Sequence, residues 1–120
     1  MLTISFCNLT GLQLGGGGLY TYLGKGLSVV DSKFDQNIAT SDCGGGVEFE
    51  YMSSVILDTV CFTGNSAPSG GAGCSWDKSK TITLSSVTSY GNDAQGGNKA
   101  CKDFYIDGSC KTLTSGTCMF

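Results

Sequence analysis

The sequence contains no histidine, and all seven of its basic residues are lysines. The commonest general base and the commonest fork-shaped clamp for carboxylates and phosphates are both missing. Charge of either sign is scarce, at 14% of residues, with a balance of −3. Nucleic acid is therefore not an expected partner, because neutralising phosphates takes clustered basic side chains and these lysines are scattered. Proline occurs once, at Pro68, and glycine does not recur at every third position; neither collagen nor a proline-rich linker fits. No run of about 18 apolar residues is present, so no membrane-spanning helix is expected. The opening "MLTISFCNLTGLQ" lacks the charged and apolar regions of a signal peptide. No segment has the i, i+3, i+4, i+7 apolar pattern of a helical repeat, and no L-x-x-L-x-L frame is found.

What the chain has in excess is glycine, 19 of 120 residues, and cysteine, 7 of 120. The length suits one domain with one modest core. Apolar residues make up 40%, enough to order it. Seven cysteines point to an oxidising, extracellular setting and disulfides. Their odd number leaves one thiol unpaired or paired between chains. No C-x-x-C and no histidine compose a zinc site, so neither a metal nor another cofactor is expected.

The glycines follow a repeat. "FDQNIATSDCGGGV" begins at Phe34, "FTGNSAPSGGAG" at Phe62, and a third version, "SYGNDAQGG", at Ser89. Four segments align, from Leu2, Leu27, Val55 and Ile82. Each opens on alternating apolar residues, turns through small polar residues and glycines, and in most cases ends in a second short strand such as "LYTYL" or "VEFEY". Period-two alternation places one face in and one out. A period of about 25–28 residues made only of strands and turns is that of a solenoid. The expected fold is all-β: a right-handed parallel β-helix of about four coils over residues 1–109. Residues 110–120 are expected to form a C-terminal cap or partial coil. Phe34 and Phe62 are expected to stack inside, with Phe6 or Leu9 extending the stack. Asn37, Asn65 and Asn92 are expected to form a ladder at an inward corner, where stacked amides satisfy turn backbone groups. The glycine blocks supply sharp corners and close approach between coils.

Phe34-Asp-Gln-Asn37 and Phe62-Thr-Gly-Asn65 fit F-x-x-N. Gly16-Gly-Gly-Leu19, Gly44-Gly-Gly-Val47 and Gly70-Gly-Ala-Gly73 approximate G-G-A-[ILV]. In this order the motifs resemble the repeats of the chlamydial polymorphic outer membrane proteins and of similar pectin-lyase-like β-helix surface proteins of protists and algae. The resemblance implies a secreted surface protein or adhesin with a β-helical body. The C-terminal membrane barrel of the bacterial members has no counterpart here, and Tyr90 is displaced from the Phe position of the fourth coil.

Chemistry has few candidates. One alignment sets Asp31 and Asp58 on the same strand face in successive coils, as a carboxylate pair for hydrolysis or a calcium site. The plainer reading is two solvated strand-end residues one register step apart. The glycine runs are not phosphate loops, because no Lys-Ser/Thr follows them. Glu48, Phe49, Glu50, Tyr51 and Met52, with Tyr20, Tyr22 and Trp76, put aromatics on the second strand of each coil. An exposed column of this kind binds sugar rings or a partner surface; the expected reading is that alternate members are core and the rest ordinary outer-face residues. Trp76, beside "DKSK", is the best candidate for exposure. Asp31, Asp58 and Trp76 thus form the candidate ligand face, and no catalytic residue is assigned. Cys74 and Cys101, at similar offsets after glycine blocks, and Cys110 with Cys118, flanking a short loop, are the candidate disulfide cysteines. Cys7 and Cys61 read as core, and Cys43 shows no evident partner. Asn8-Leu9-Thr10 is an N-glycosylation acceptor.

A solenoid has two ends with unpaired strand edges. The first coil leaves no room for an N-terminal cap. The chain is thus expected to be a piece of a longer β-helix or to stack head to tail on copies of itself. The expected role is an extracellular, non-enzymatic structural or adhesive module. Its partners would be itself, other surface proteins or glycans. The alternative is a carbohydrate-binding or carbohydrate-active β-helix.

Overall fold

The computed structural model describes residues 2–5, 8–10, 13–14, 17–40, 43–76, 81–96, 101–106 and 108–116. Among them are sixteen strands and no helix. The first coil holds β1 (Leu2–Ser5), β2 (Asn8–Thr10), β3 (Gln13–Leu14) and β4 (Leu19–Tyr22). The second holds β5 (Gly26–Asp35), β6 (Ile38–Ala39) and β7 (Val47–Glu50). The third holds β8 (Ser54–Thr63), β9 (Ser66–Ala67) and β10 (Gly73–Trp76). The fourth holds β11 (Thr81–Ser85), β12 (Thr88–Tyr90), β13 (Asp93–Ala94) and β14 (Phe104–Ile106), followed by β15 (Ser109–Lys111) and β16 (Thr114–Ser115).

Strands of successive coils pair in parallel and build three sheets. The first contains β1 and β2, β5, β8, β11 and β12, and finally β16; the second runs β3-β6-β9-β13; the third runs β4-β7-β10-β14-β15. Leu2 pairs with Leu27, Leu27 with Val55 and Val55 with Ile82, so the sequence repeat is the rung-to-rung register. The molecule is a parallel β-solenoid of about three turns, slightly fewer than the four coils expected. Four rungs stacked in a sheet are separated by three steps.

The bends arise from left-handed backbone at stacked positions. Asp31, Thr59 and Ser86 have φ of 49°, 56° and 51°, and each kinks the long strand path of the first sheet. Gln36, Gly64 and Gly91, at 55°, 61° and 67°, turn the chain from the first sheet toward the second. An L-residue there costs roughly 1–2 kcal/mol. Hydrogen bonds along the stack offset that cost: Gln36 N–H donates to Thr63 O at 2.9 Å and Gly64 N–H to Tyr90 O at 2.9 Å. Corners were thus expected from glycine alone but are shared with ordinary residues. In the glycine blocks the dominant need is close approach. A Cβ on Gly45 would lie 2.4 Å from the carbonyl oxygen of Gly71 in the next coil.

The interior is a column of side chains from all three walls. Leu27, Val29, Val55 and Leu57 line the first sheet, and Val47 and Phe49 the third, all fully buried. Phe34 and Phe62, paired in register, stack with centroids 5.1 Å apart and planes 14° apart. Leu9 is the residue level with Phe34 in the first rung, while Phe6 lies outside the described residues. In the fourth rung Ser89, not Tyr90, is level with Phe62. Tyr90 points outward and is 62% exposed. Phe104 compensates from the third sheet, meeting Phe62 edge to face at 5.4 Å. It fits because Gly73 has no side chain; a Cβ there would lie 2.3 Å from the Phe104 ring.

Beside the aromatic stack runs the asparagine ladder. Asn37, Asn65 and Asn92 are buried. The backbone N–H and Nδ2 of Asn37 both donate to Asn65 Oδ1, at 3.0 and 3.2 Å. Asn65 repeats this toward Asn92 Oδ1, at 2.9 and 3.0 Å. The second amide hydrogen of Asn65 reaches Phe34 O, and that of Asn92 reaches Phe62 O, both at 2.9 Å. The Asn65 and Asn92 amides therefore join their own turns to the adjoining rung and to the carbonyl of a stacking position. Only asparagine has donors and an acceptor on so short a stem.

The coil pattern ends at β15, which runs antiparallel to β14. β16 then lies parallel on β12. Asp103 ties this segment down: one carboxylate oxygen accepts from Ser89 Oγ and the other from Leu113 N–H, each at 2.7 Å.

Two truncations test the interior. Phe62→Ala should cost roughly 3–5 kcal/mol in urea unfolding. Asn65→Ala removes four hydrogen bonds and leaves buried groups unmet, for a loss of about 3 kcal/mol or more. An unchanged midpoint for Asn65→Ala would show that the ladder does not hold the coils together.

Candidate functional site: the outer face of the third sheet

Register separates the carboxylates proposed as a ligand face. Asp58 pairs with Val30. The flanking pairs, Val30 with Asp58 and Ser32 with Val60, put Asp31 level with Thr59 instead. Asp31 and Asp58 are one step apart because Asp31 occupies the left-handed kink whose counterpart in the next coil is Thr59. They do not form the expected pair. The Trp76 backbone pairs with Glu50 at the end of β10, and its side chain lies outside the described residues. Asn8 pairs with Lys33 by backbone, and its side chain likewise lies outside them.

The aromatic second strand divides by face. Val47 and Phe49 point inward and are buried, and Met52 packs in the core. Tyr20, Tyr22 and Tyr51 are 50%, 54% and 45% exposed and are the outer-face members of the group. Alternation on β4 sends Tyr20 and Tyr22 out as Leu19 packs in. Tyr51 follows β7 in a left-handed bend (φ 53°), as Leu23 follows β4 at the same φ. The bend turns Tyr51 against Tyr22, with ring centroids 5.7 Å apart and planes at 87°. Register sets Tyr20 opposite Glu48 and Tyr22 opposite Glu50. The Tyr20 phenol is raised above its ordinary range by desolvation, then by the charge of Glu50 and a hydrogen bond to it, with smaller contributions from Glu48 and Tyr22. Two phenols and a carboxylate on paired strands, with a third phenol from the bend after β7, thus share one outward face.

Glu48 and Cys74 belong to the outward column of this sheet, yet both are buried. Cys74 bonds to Cys43, linking the third coil to the second across 31 residues. The sequence placed Cys74 near Cys101 and left Cys43 alone; the bridge Cys43↔Ser69 carries Cys43 alongside the third coil instead. Cys101 bonds to Cys110 across 9 residues, fastening β15 to the fourth coil. Cys118, the candidate on the far side of the loop after Cys110, lies outside the described residues, as does Cys7. Cys61, read as core, is both buried and disulfide-bonded. The disulfides fit an oxidising compartment. Cys43, Glu48 and Cys74 present ligand atoms within 4.8 Å of one another. The two sulfurs share a disulfide, which offers no thiolate to a metal.

A concavity of about 690 Å³ lies between the fourth coil and the C-terminal segment, lined by Asn92, Asp103, Lys111 and Leu113 among others. Both oxygens of Asp103 are engaged in holding that segment. Among the described residues no helix is long and apolar enough to cross a membrane. No family model, curated protein or solved structure matches the chain.

The Tyr20 environment is open to titration. With ring-labelled tyrosine, Glu50→Gln should bring the Tyr20 phenol down toward its ordinary value, since removing a negative charge eases formation of the phenolate. A Tyr20 curve unmoved by the substitution would show that Glu50 does not reach it.

Proposed function

We propose that this chain is an extracellular, non-enzymatic β-solenoid module with an adhesive role, working through its outer face. The observation that carries this reading is the exposed cluster of Tyr20, Tyr22 and Tyr51 on a disulfide-tied sheet. Tyrosine supplies contact area at small cost in side-chain freedom, and rigid strands hold it in place before a partner arrives. The interior serves the fold: its amides are joined to each other and its aromatics to each other. Disulfides within the solenoid suit a protein that keeps its shape outside the cell.

Stacking of copies head to tail is the structural form of the same role. β4 lies at the edge of the third sheet and β3 at the edge of the second. At the other end β15 and β16 occupy the edges of the third and first sheets, and β13 that of the second. An antiparallel β15 does not continue the parallel register, which favours the lateral face over the ends.

Adhesion of protein-coated beads to cultured cells tests this. Tyr20→Ala/Tyr22→Ala/Tyr51→Ala should keep the thermal midpoint within a few degrees and abolish adhesion, while Tyr90→Ala, at a still more exposed tyrosine on another face, should adhere normally. Undiminished adhesion by the triple variant would remove the face from the function. Uniform filaments of wild-type protein by negative-stain microscopy would move the function to the ends.

A further inference from the structure

We infer that the Tyr20–Tyr22–Tyr51–Glu50 face recognises a cationic side chain, a lysine ammonium or arginine guanidinium displayed by a protein partner. The inference rests on the adhesive reading and supplies its chemistry.

The shape of the aromatic pair carries the assignment. Tyr22 and Tyr51 meet at 87°, with centroids 5.7 Å apart. At that angle the rings meet edge to face and leave a corner beside the contact. A sugar ring stacks best on one broad flat face, and an apolar side chain needs no acidic neighbour. A compact cation is attracted to the negative face of each ring, and best when two faces and a carboxylate converge. Glu50 lies directly across the strand pair from Tyr22 and immediately precedes Tyr51.

Charge points the same way. The protein has a balance of −3 and no arginine. The described cation nearest in sequence is Lys25, four residues after Thr21 in the loop beyond β4, and exposed. A basic partner thus meets complementary potential, which speeds encounter and orients it. The three tyrosines are about half exposed, so one partner residue desolvates them without rearranging the sheet.

The test titrates the full-length oxidised chain with an octalysine peptide, using its fully Nε-acetylated form and a neutral glucan oligosaccharide as comparisons. Tyrosine ring resonances report the site. Octalysine should shift the signals of Tyr20, Tyr22 and Tyr51, and the acetylated peptide should not. Tyr22→Leu/Tyr51→Leu keeps the net charge and should weaken binding about tenfold, as should Glu50→Gln. Higher salt should weaken it further. Equal binding by Tyr22→Leu/Tyr51→Leu would reduce the effect to diffuse charge attraction and overturn the assignment. Preferential binding of the glucan would overturn it in favour of a sugar site, and concentration-dependent shifts without any ligand would do so in favour of a second copy. Failure of octalysine to bind while the beads still adhere through these tyrosines would refute the partner chemistry and leave the adhesive role intact. Binding of octalysine with adhesion unaffected by the same variants would refute the adhesive role instead.

Discussion

The structure depends on one repeated contact, the amide of an asparagine passed from coil to coil. A solenoid strand pairs with neighbours 25–28 positions away, and nothing local fixes which residue opposes which. Asn37, Asn65 and Asn92 remove that freedom. A one-residue slip would break the bond from each amide to the next and also its bond to Phe34 O or Phe62 O. In a buried corner such losses have no water to replace them. Register being fixed there, the Phe34–Phe62 stack and the columns of leucine and valine beside it fall into line.

Several apparent irregularities follow from this register. Ser89 takes the aromatic position in the fourth rung, and the vacated volume is filled by Phe104 from the opposite wall, above a glycine. The same serine hydroxyl joins Asp103, which holds the C-terminal segment. The loss of one stacking ring is thus coupled to the way the coil pattern ends. The Cys101–Cys110 bond closes the same region covalently. At the opposite side of the solenoid, left-handed residues Leu23 and Tyr51 end successive strands of the third sheet and swing exposed side chains past their tips. The exposed aromatic corner is a by-product of the bend that the coil needs.

Much of the architecture was legible because a solenoid writes its period into the chain. Phe-x-x-Asn and the glycine blocks recur at the spacing of the rungs, and alternation marks inward residues in each strand. The asparagines singled out by the repeat are those that hydrogen-bond in the structure. The outer face was less legible. Asp31 and Asp58 look equivalent in an alignment, yet a left-handed kink gives Asp31 the place of Thr59. Tyr20 and Tyr22 could be read as core or surface from alternation alone, since that pattern does not say which set is inside.

By itself the sequence determined the class of fold, the period, the identities of the ladder residues and the absence of histidine and arginine. These are properties of composition and spacing, which survive any uncertainty in how strands meet. Tertiary structure decided which cysteines join, which tyrosines face solvent, and what replaces phenylalanine in the fourth rung. Those depend on contacts between residues from different coils and walls. Cys43 reaches Cys74, and Phe104 reaches Phe62, only after the chain has wound around the core.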